Sequence, residues 1–129
     1  MVLVDTSIWI DFLQHPASSA SDRLAGLIRE NNRAVLCGVV IQEVLQGIRD
    51  RNSHAATKEL LIKFPYLDMT KEVYMAAASL YRDLRNKGIT IPSTDAAIAA
   101  LALHHRIPLF TRDGHFSVIA RHSKLALHS

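Results

Sequence analysis

The stretch Val2-Leu3-Val4-Asp5-Thr6-Ser7-Ile8-Trp9-Ile10-Asp11-Phe12 decides the fold. Three apolar residues in a row, with no polar residue alternating, read as a strand buried on both faces. A carboxylate follows at once, then Thr6 and Ser7, either of which can cap a helix. Trp9, Phe12 and Leu13 continue at helical spacing, as core packing or as part of a partner groove. A buried strand that runs through an acidic residue into a helix opens an α/β layer fold. In such sheets ligands bind beyond the carboxyl ends of the strands, which is where Asp5 falls.

Working outward, Arg33–Leu36, Pro65–Met69 and Ile107–Thr111 read as further strands, with Pro108 confined to the start of the last. Leu125–Leu127 is a candidate edge strand. Helical periodicity covers Asp22–Glu30, Val39–Asp50 and Lys71–Asn86, the last with Thr70 as N-cap and Asn86-Lys87-Gly88 as stop signal. Asp95–His105 is apolar on nearly every side and is expected to be a buried helix. His15–Ser21 reads as a loop too short to divide domains. The expectation is a single α/β domain over 1–129, with a mostly parallel central sheet of four to five strands flanked by helices.

The composition agrees with a packed domain. Of 129 residues, 49% are hydrophobic and 21% charged, which excludes a disordered or coiled-coil chain. The longest apolar run, Ala96–Leu103, is far shorter than the ~20 residues of a membrane span. No basic leader precedes Asp5, and Cys37, as the lone cysteine, has no internal disulfide partner. A cytoplasmic protein without a membrane partner is expected. The net charge of +3 suits a polyanionic partner such as nucleic acid, or is simply a basic surface; no run of five basic residues occurs.

Four acids stand where an α/β sheet places its ligands. Asp5 and Asp113 follow strands, Asp95 lies in the first turn of the apolar helix, and Glu43 lies on the helix after the second strand. Each has a plain alternative: cap assistance for Asp5, a turn for Asp113-Gly114, helix-dipole stabilisation for Asp95, a solvated surface for Glu43. Glu43 sits about 130° from the centre of its helix's apolar face, counting about 100° per residue. Gly47, one turn on, leaves room beside it. The set carries the argument. Two unit charges about 5 Å apart at an effective dielectric near 20 repel by roughly 3 kcal/mol, so converging carboxylates need protons or a cation. All-oxygen ligands favour Mg²⁺ or Mn²⁺, and such centres hydrolyse phosphodiesters.

The opening segment resembles that of PIN-domain nucleases, and most nearly the VapC toxins of bacterial toxin–antitoxin pairs. Gly38-Val39-Val40-Ile41-Gln42-Glu43-Val44-Leu45-Gln46-Gly47 resembles the second motif. Thr94-Asp95-Ala96-Ala97-Ile98-Ala99-Ala100 resembles the third, and Leu109-Phe110-Thr111-Arg112-Asp113-Gly114-His115-Phe116 the fourth, a Thr-x-Asp-x-x-Phe pattern. The resemblance implies a PIN-like three-layer fold and a metal-dependent endoribonuclease. It implies that Asp5, Glu43, Asp95 and Asp113 form the catalytic set. Asp5 and Asp95 would hold Mg²⁺ or Mn²⁺, with Glu43 and Asp113 joining directly or through water. Thr6, Ser7, Thr94, Thr111 and Arg112 would lie near substrate or metal. It further implies a homodimer, cytoplasmic action on RNA, and a cognate antitoxin whose tail occupies the active-site groove in a hetero-oligomer.

Rival readings are weaker on the residues. A haloacid-dehalogenase phosphatase needs a second Asp where Ser7 stands, and the five glycines form neither a P-loop nor a dinucleotide fingerprint. A non-catalytic PIN-like adaptor that binds RNA or a protein is the alternative of a different class; loss of a rim acid would favour it, and none is lost. Among seven histidines, the adjacent His104 and His105 match no two-ligand face, and His115 alone stands close enough to Asp113 to approach a substrate. Arg49, Arg51, Arg85, Lys87 and Arg106 join Arg112 as basic residues that could meet phosphates.

Overall fold

The computed structural model describes residues 1–129. The elements run β1 (Val2–Val4), α1 (Thr6–Gln14), α2 (Ser19–Arg29), β2 (Ala34–Cys37), α3 (Gly38–Gln46), α4 (Arg51–Leu61), β3 (Tyr66–Leu67), α5 (Lys71–Asn86), α6 (Ser93–His105), β4 (Leu109–Phe110) and α7 (Gly114–Arg121). The four strands form an all-parallel sheet in the order β3-β2-β1-β4. β1 pairs with β2 through Val2↔Ala34 and with β4 through Val4↔Phe110. All residues of β1, β2 and β4 are buried, as unbroken apolar runs in a covered parallel sheet require.

The order has a consequence for function. Chain progression runs outward from β1 through β2 to β3, whereas β4 returns to the other side of β1. The strand order therefore reverses between β1 and β4, and the crevice above their carboxyl ends is the switch point where open α/β sheets bind ligands. The residues that follow these two strands are Asp5 and Thr111.

Helix α6 is the central support. Asp95 through Ala102 are all buried, and α6 packs along α5. Burying Ile98 and Leu101 completely contributes about 1.5–3 kcal/mol each. Helix α5 is one-sided: Val73, Ala77 and Leu84 face the core, while Tyr74 and Met75 stay exposed. The Thr70 hydroxyl caps it as expected, accepting from the Val73 N–H.

Several boundaries differ from the sequence reading. α2 starts at Ser19 because Ser18 caps it, which shortens the expected loop. α3 stops at Gly47 rather than Asp50, because Asp50 caps a new helix, α4, by accepting from Ser53 N–H. α4 has no apolar stripe to reveal it: Thr57 and Leu61 are its only buried residues. Asp113-Gly114 is not a free turn but the start of α7. Leu125–Leu127 is no strand; it meets β4 through one parallel bridge, Leu109↔Leu127. No helix is long and apolar enough to cross a membrane.

Candidate active site

Asp5 directly follows β1 and stands at the N-cap position of α1, but its side chain makes no capping bond. Its amide donates to Phe110 O at 2.9 Å, so β1 and β4 are tied together at this point. The carboxylate is buried, and its Oδ2 accepts from two hydroxyls, Ser7 Oγ two residues on at 2.9 Å and the distant Thr111 Oγ1 at 2.8 Å. The same hydroxyls accept in turn. Thr111 Oγ1 accepts from Asp113 N–H at 3.0 Å, and Ser7 Oγ from Arg112 N–H at 3.1 Å. The Thr111-Arg112-Asp113 loop is thus stitched to the end of β1, which carries Asp113 to the switch point.

Asp113 caps α7 by accepting from His115 N–H at 2.9 Å. This bends the chain so that the His115 ring turns back over the acids. His115 Nδ1 lies 3.0 Å from Asp95 Oδ2 and 3.1 Å from Asp113 Oδ1. One ligand atom each from Asp95, Asp113 and His115 lies within 4.8 Å of the others. Asp95 is buried in the first turn of α6. Burial first, and the charge of Asp113 next, push its carboxyl up from the ordinary 3.8 to about 6; Asp5 adds to the rise and His115 opposes it.

Glu43 is half-buried rather than fully solvated, and its Oε1 accepts from Thr6 Oγ1 at 2.8 Å. Cys37, at the end of β2, is buried, which raises its thiol pKa; the charges of Asp5 and Glu43 add to that rise, a sign that both acids lie near the end of β2. A Cβ on Gly47 would meet only the carbonyl oxygens of Glu43 and Val44, at 3.6 and 3.7 Å, an ordinary contact. Of the flanking residues, Thr6, Ser7, Thr111 and Arg112 enter the network. Thr94 stays exposed and lines a different groove with Tyr81 and Arg82.

Arg112 is the cation nearest the acids in sequence, yet its guanidinium donates to Asp11 Oδ1 at 2.8 Å. Asp11 is itself buried on α1 and also accepts from the Ser18 hydroxyl. Two residues therefore carry more than the sequence reading assigns them: Asp11, which has no role in it, and His115, which enters it only as a substrate approach. For Asp11 a signal exists. Ser7 and Asp11 are four residues apart on α1, hence on one face, and a polar pair on a face turned inward calls for partners. Trp9 is fully buried, with Nε1 donating to Val4 O at 3.2 Å, so it serves the core. Leu13 lines a groove of about 510 Å³ with Ile10, Val44 and Ile48.

The donor set suits a hard divalent ion. Asp95 and Asp113 meet at one crevice with Asp5 close enough to act on Asp95, Glu43 pairs with Thr6, and Arg112 is committed to Asp11.

Comparison with known proteins agrees with this architecture. The profile of the PIN domain matches residues 2–122. The chain is 35% identical over 128 residues to VapC ribonuclease Mb1587 of Mycobacterium bovis, covering 97% of this chain and 96% of that protein. The same values hold for ribonuclease VapC11 of Mycobacterium tuberculosis. The fold matches the VapBC2 structure from Rickettsia felis bound to a promoter DNA fragment, with a TM-score of 0.82, 19% identity, and 99% and 98% of the two chains covered.

Proposed function

Since the chain belongs to the PIN-domain family, among the VapC ribonucleases, we propose that it is a Mg²⁺- or Mn²⁺-dependent endoribonuclease toxin, held in check by a cognate antitoxin. The observation that carries this reading is the convergence at the β1/β4 switch point. Asp5, Asp95 and Asp113 come from three separate segments, and burial, with the charge of Asp113 beside it, pushes the Asp95 carboxyl up to about 6. Asp5 and Asp95 would hold the ion, with Glu43 and Asp113 joining directly or through water. When bound, the ion supplies charge neutralisation, an acidified water and stabilisation of the leaving oxygen.

The chain's own residues do the rest. Ser7 and Thr111 hold the Asp5 carboxylate in one orientation, since each hydroxyl has a single proton and gives it to Oδ2. Thr6 likewise aims Glu43. Arg112 sits at the rim, half its side chain in solvent, where it can meet an RNA phosphate while Asp11 fixes its position. The groove lined by Ile10, Leu13, Val44 and Ile48, which none of the four acids enters, offers an apolar seat for a second part of the antitoxin, while its tail would occupy the active-site groove. Tyr74 and Met75 on α5 offer an apolar surface to a second copy, in keeping with a homodimer and a toxin–antitoxin hetero-oligomer acting in the cytoplasm.

The test is cleavage of defined RNAs by the partner-free protein with Mn²⁺, with chelator, and with Asp5→Asn. Cleavage is expected only with the ion and the native Asp5. Full activity of Asp5→Asn with Mn²⁺ would overturn the assignment.

A further inference from the structure

We infer that His115 is itself a ligand of the active-site cation, making the centre a mixed oxygen–nitrogen site that favours a first-row transition ion such as Mn²⁺ over Mg²⁺. This rests on the nuclease reading and goes beyond its all-carboxylate ion site. An octahedral ion with ligand distances of about 2.1 Å holds adjacent ligand atoms about 3.0 Å apart. His115 Nδ1 stands at 3.0 Å from Asp95 Oδ2 and at 3.1 Å from Asp113 Oδ1, the spacing of two neighbouring edges of such a polyhedron. All three atoms fall within 4.8 Å of one another. The imidazole reaches this place from the second residue of α7, whose amide is held by the capping Asp113 carboxylate. In the tautomer that carries its proton on Nε2, the imidazole presents the Nδ1 lone pair to an ion.

The chemistry of the donors then decides preference. Mg²⁺ takes oxygen ligands and gives up its waters reluctantly, whereas transition divalents accept imidazole and follow a rising order of affinity for nitrogen. A carboxylate–carboxylate–imidazole donor set therefore shifts the balance away from Mg²⁺. The alternative role for His115 is a protonated counter-ion of the two acids, which an incoming cation would displace. Ligation and displacement predict opposite spectra.

The deciding experiment is pulsed electron paramagnetic resonance of Mn²⁺ bound to the full chain. Nitrogen modulation is expected, shifting to the ¹⁵N pattern when the protein is made with ¹⁵N-histidine, and lost in His115→Ala while Mn²⁺ remains bound. Calorimetry should show the Mn²⁺-to-Mg²⁺ affinity ratio falling about tenfold or more in that variant, as when a metal-tuning partner is lost. Bound Mn²⁺ without nitrogen coupling, or coupling that persists in His115→Ala, overturns the ligand assignment; an unchanged ratio overturns the preference. Wild-type RNA cleavage alongside absent coupling would sink only the ligand assignment, whereas failure of cleavage with every ion would sink the nuclease reading itself.

Discussion

Asp11 and Asp95 are almost equally buried, at 5% and 7% exposure, yet they live in opposite electrostatic surroundings. Asp11 faces Arg112, a cation that cannot lose its charge, and the Ser18 hydroxyl. Asp95 faces another acid, Asp113, and a histidine. Burial alone thus does not tell these two acids apart. What does is whether the fold itself supplies a lasting counter-charge. Asp11 is complete within the chain and works as a clamp on the Arg112 loop. Asp95 is left short, and that shortage is what a metal ion would fill.

The largest expected effect separates the two directly. Asp95→Asn should lower RNA cleavage by about 10²–10³-fold or more, on the scale of losing one transition-state-stabilising group, while leaving thermal stability at neutral pH equal or higher. A variant that cleaved normally would erase the distinction. The pH dependence of stability sharpens it. In the folded chain Asp95 keeps its proton to about 6, against the ordinary 3.8. Between those values the folded state binds more protons than the unfolded one, so without divalent ion stability should fall as pH rises through this window, by on the order of 1–3 kcal/mol. Urea midpoints near pH 4 and near pH 7 should show this slope in the wild type and lose it in Asp95→Asn.

On the Asp11 side, Arg112→Ala strands a buried carboxylate and should cost about 1–3 kcal/mol. Adding Asp11→Asn should recover part of that loss, and strict additivity in the double-mutant cycle would show that the pair is not coupled. Ser18→Ala should have the smallest effect, about 1 kcal/mol, by removing both the α2 cap and one bond to Asp11. An unchanged unfolding midpoint would count against that role.

Much of the site is legible in the amino-acid order. Asp5 and Asp113 lie just beyond apolar runs, and Asp95 opens an apolar helix, so an α/β reading puts all three on one rim. The structure brings Asp95 and Asp113 together with His115, and places Asp5 near enough to raise the Asp95 pKa. Glu43 is harder to read. Its helical angle points away from the core, and only its place on the helix after the second strand, Gly47 one turn on and the resemblance single it out; tertiary packing turns it toward Thr6. α4 leaves no local signal because its sequence is polar on nearly all sides and its burial rests on Thr57 and Leu61. α7 is hidden because a helix cap and a turn share the same Asp-Gly signature.

The order of the four strands and of α1, α2, α3, α5 and α6 was legible in the sequence by itself, because apolar periodicity and caps act between residues a few positions apart. So was the presence of acids at the carboxyl edge, because a strand end fixes where the next residue stands. Tertiary structure alone decided which charge answers which. Arg112 reaches Asp11 across 101 positions, and Thr111 reaches Asp5 across 106. Nothing local encodes those pairings, since they exist only once β4 has docked beside β1 and the two ends of the chain share one crevice.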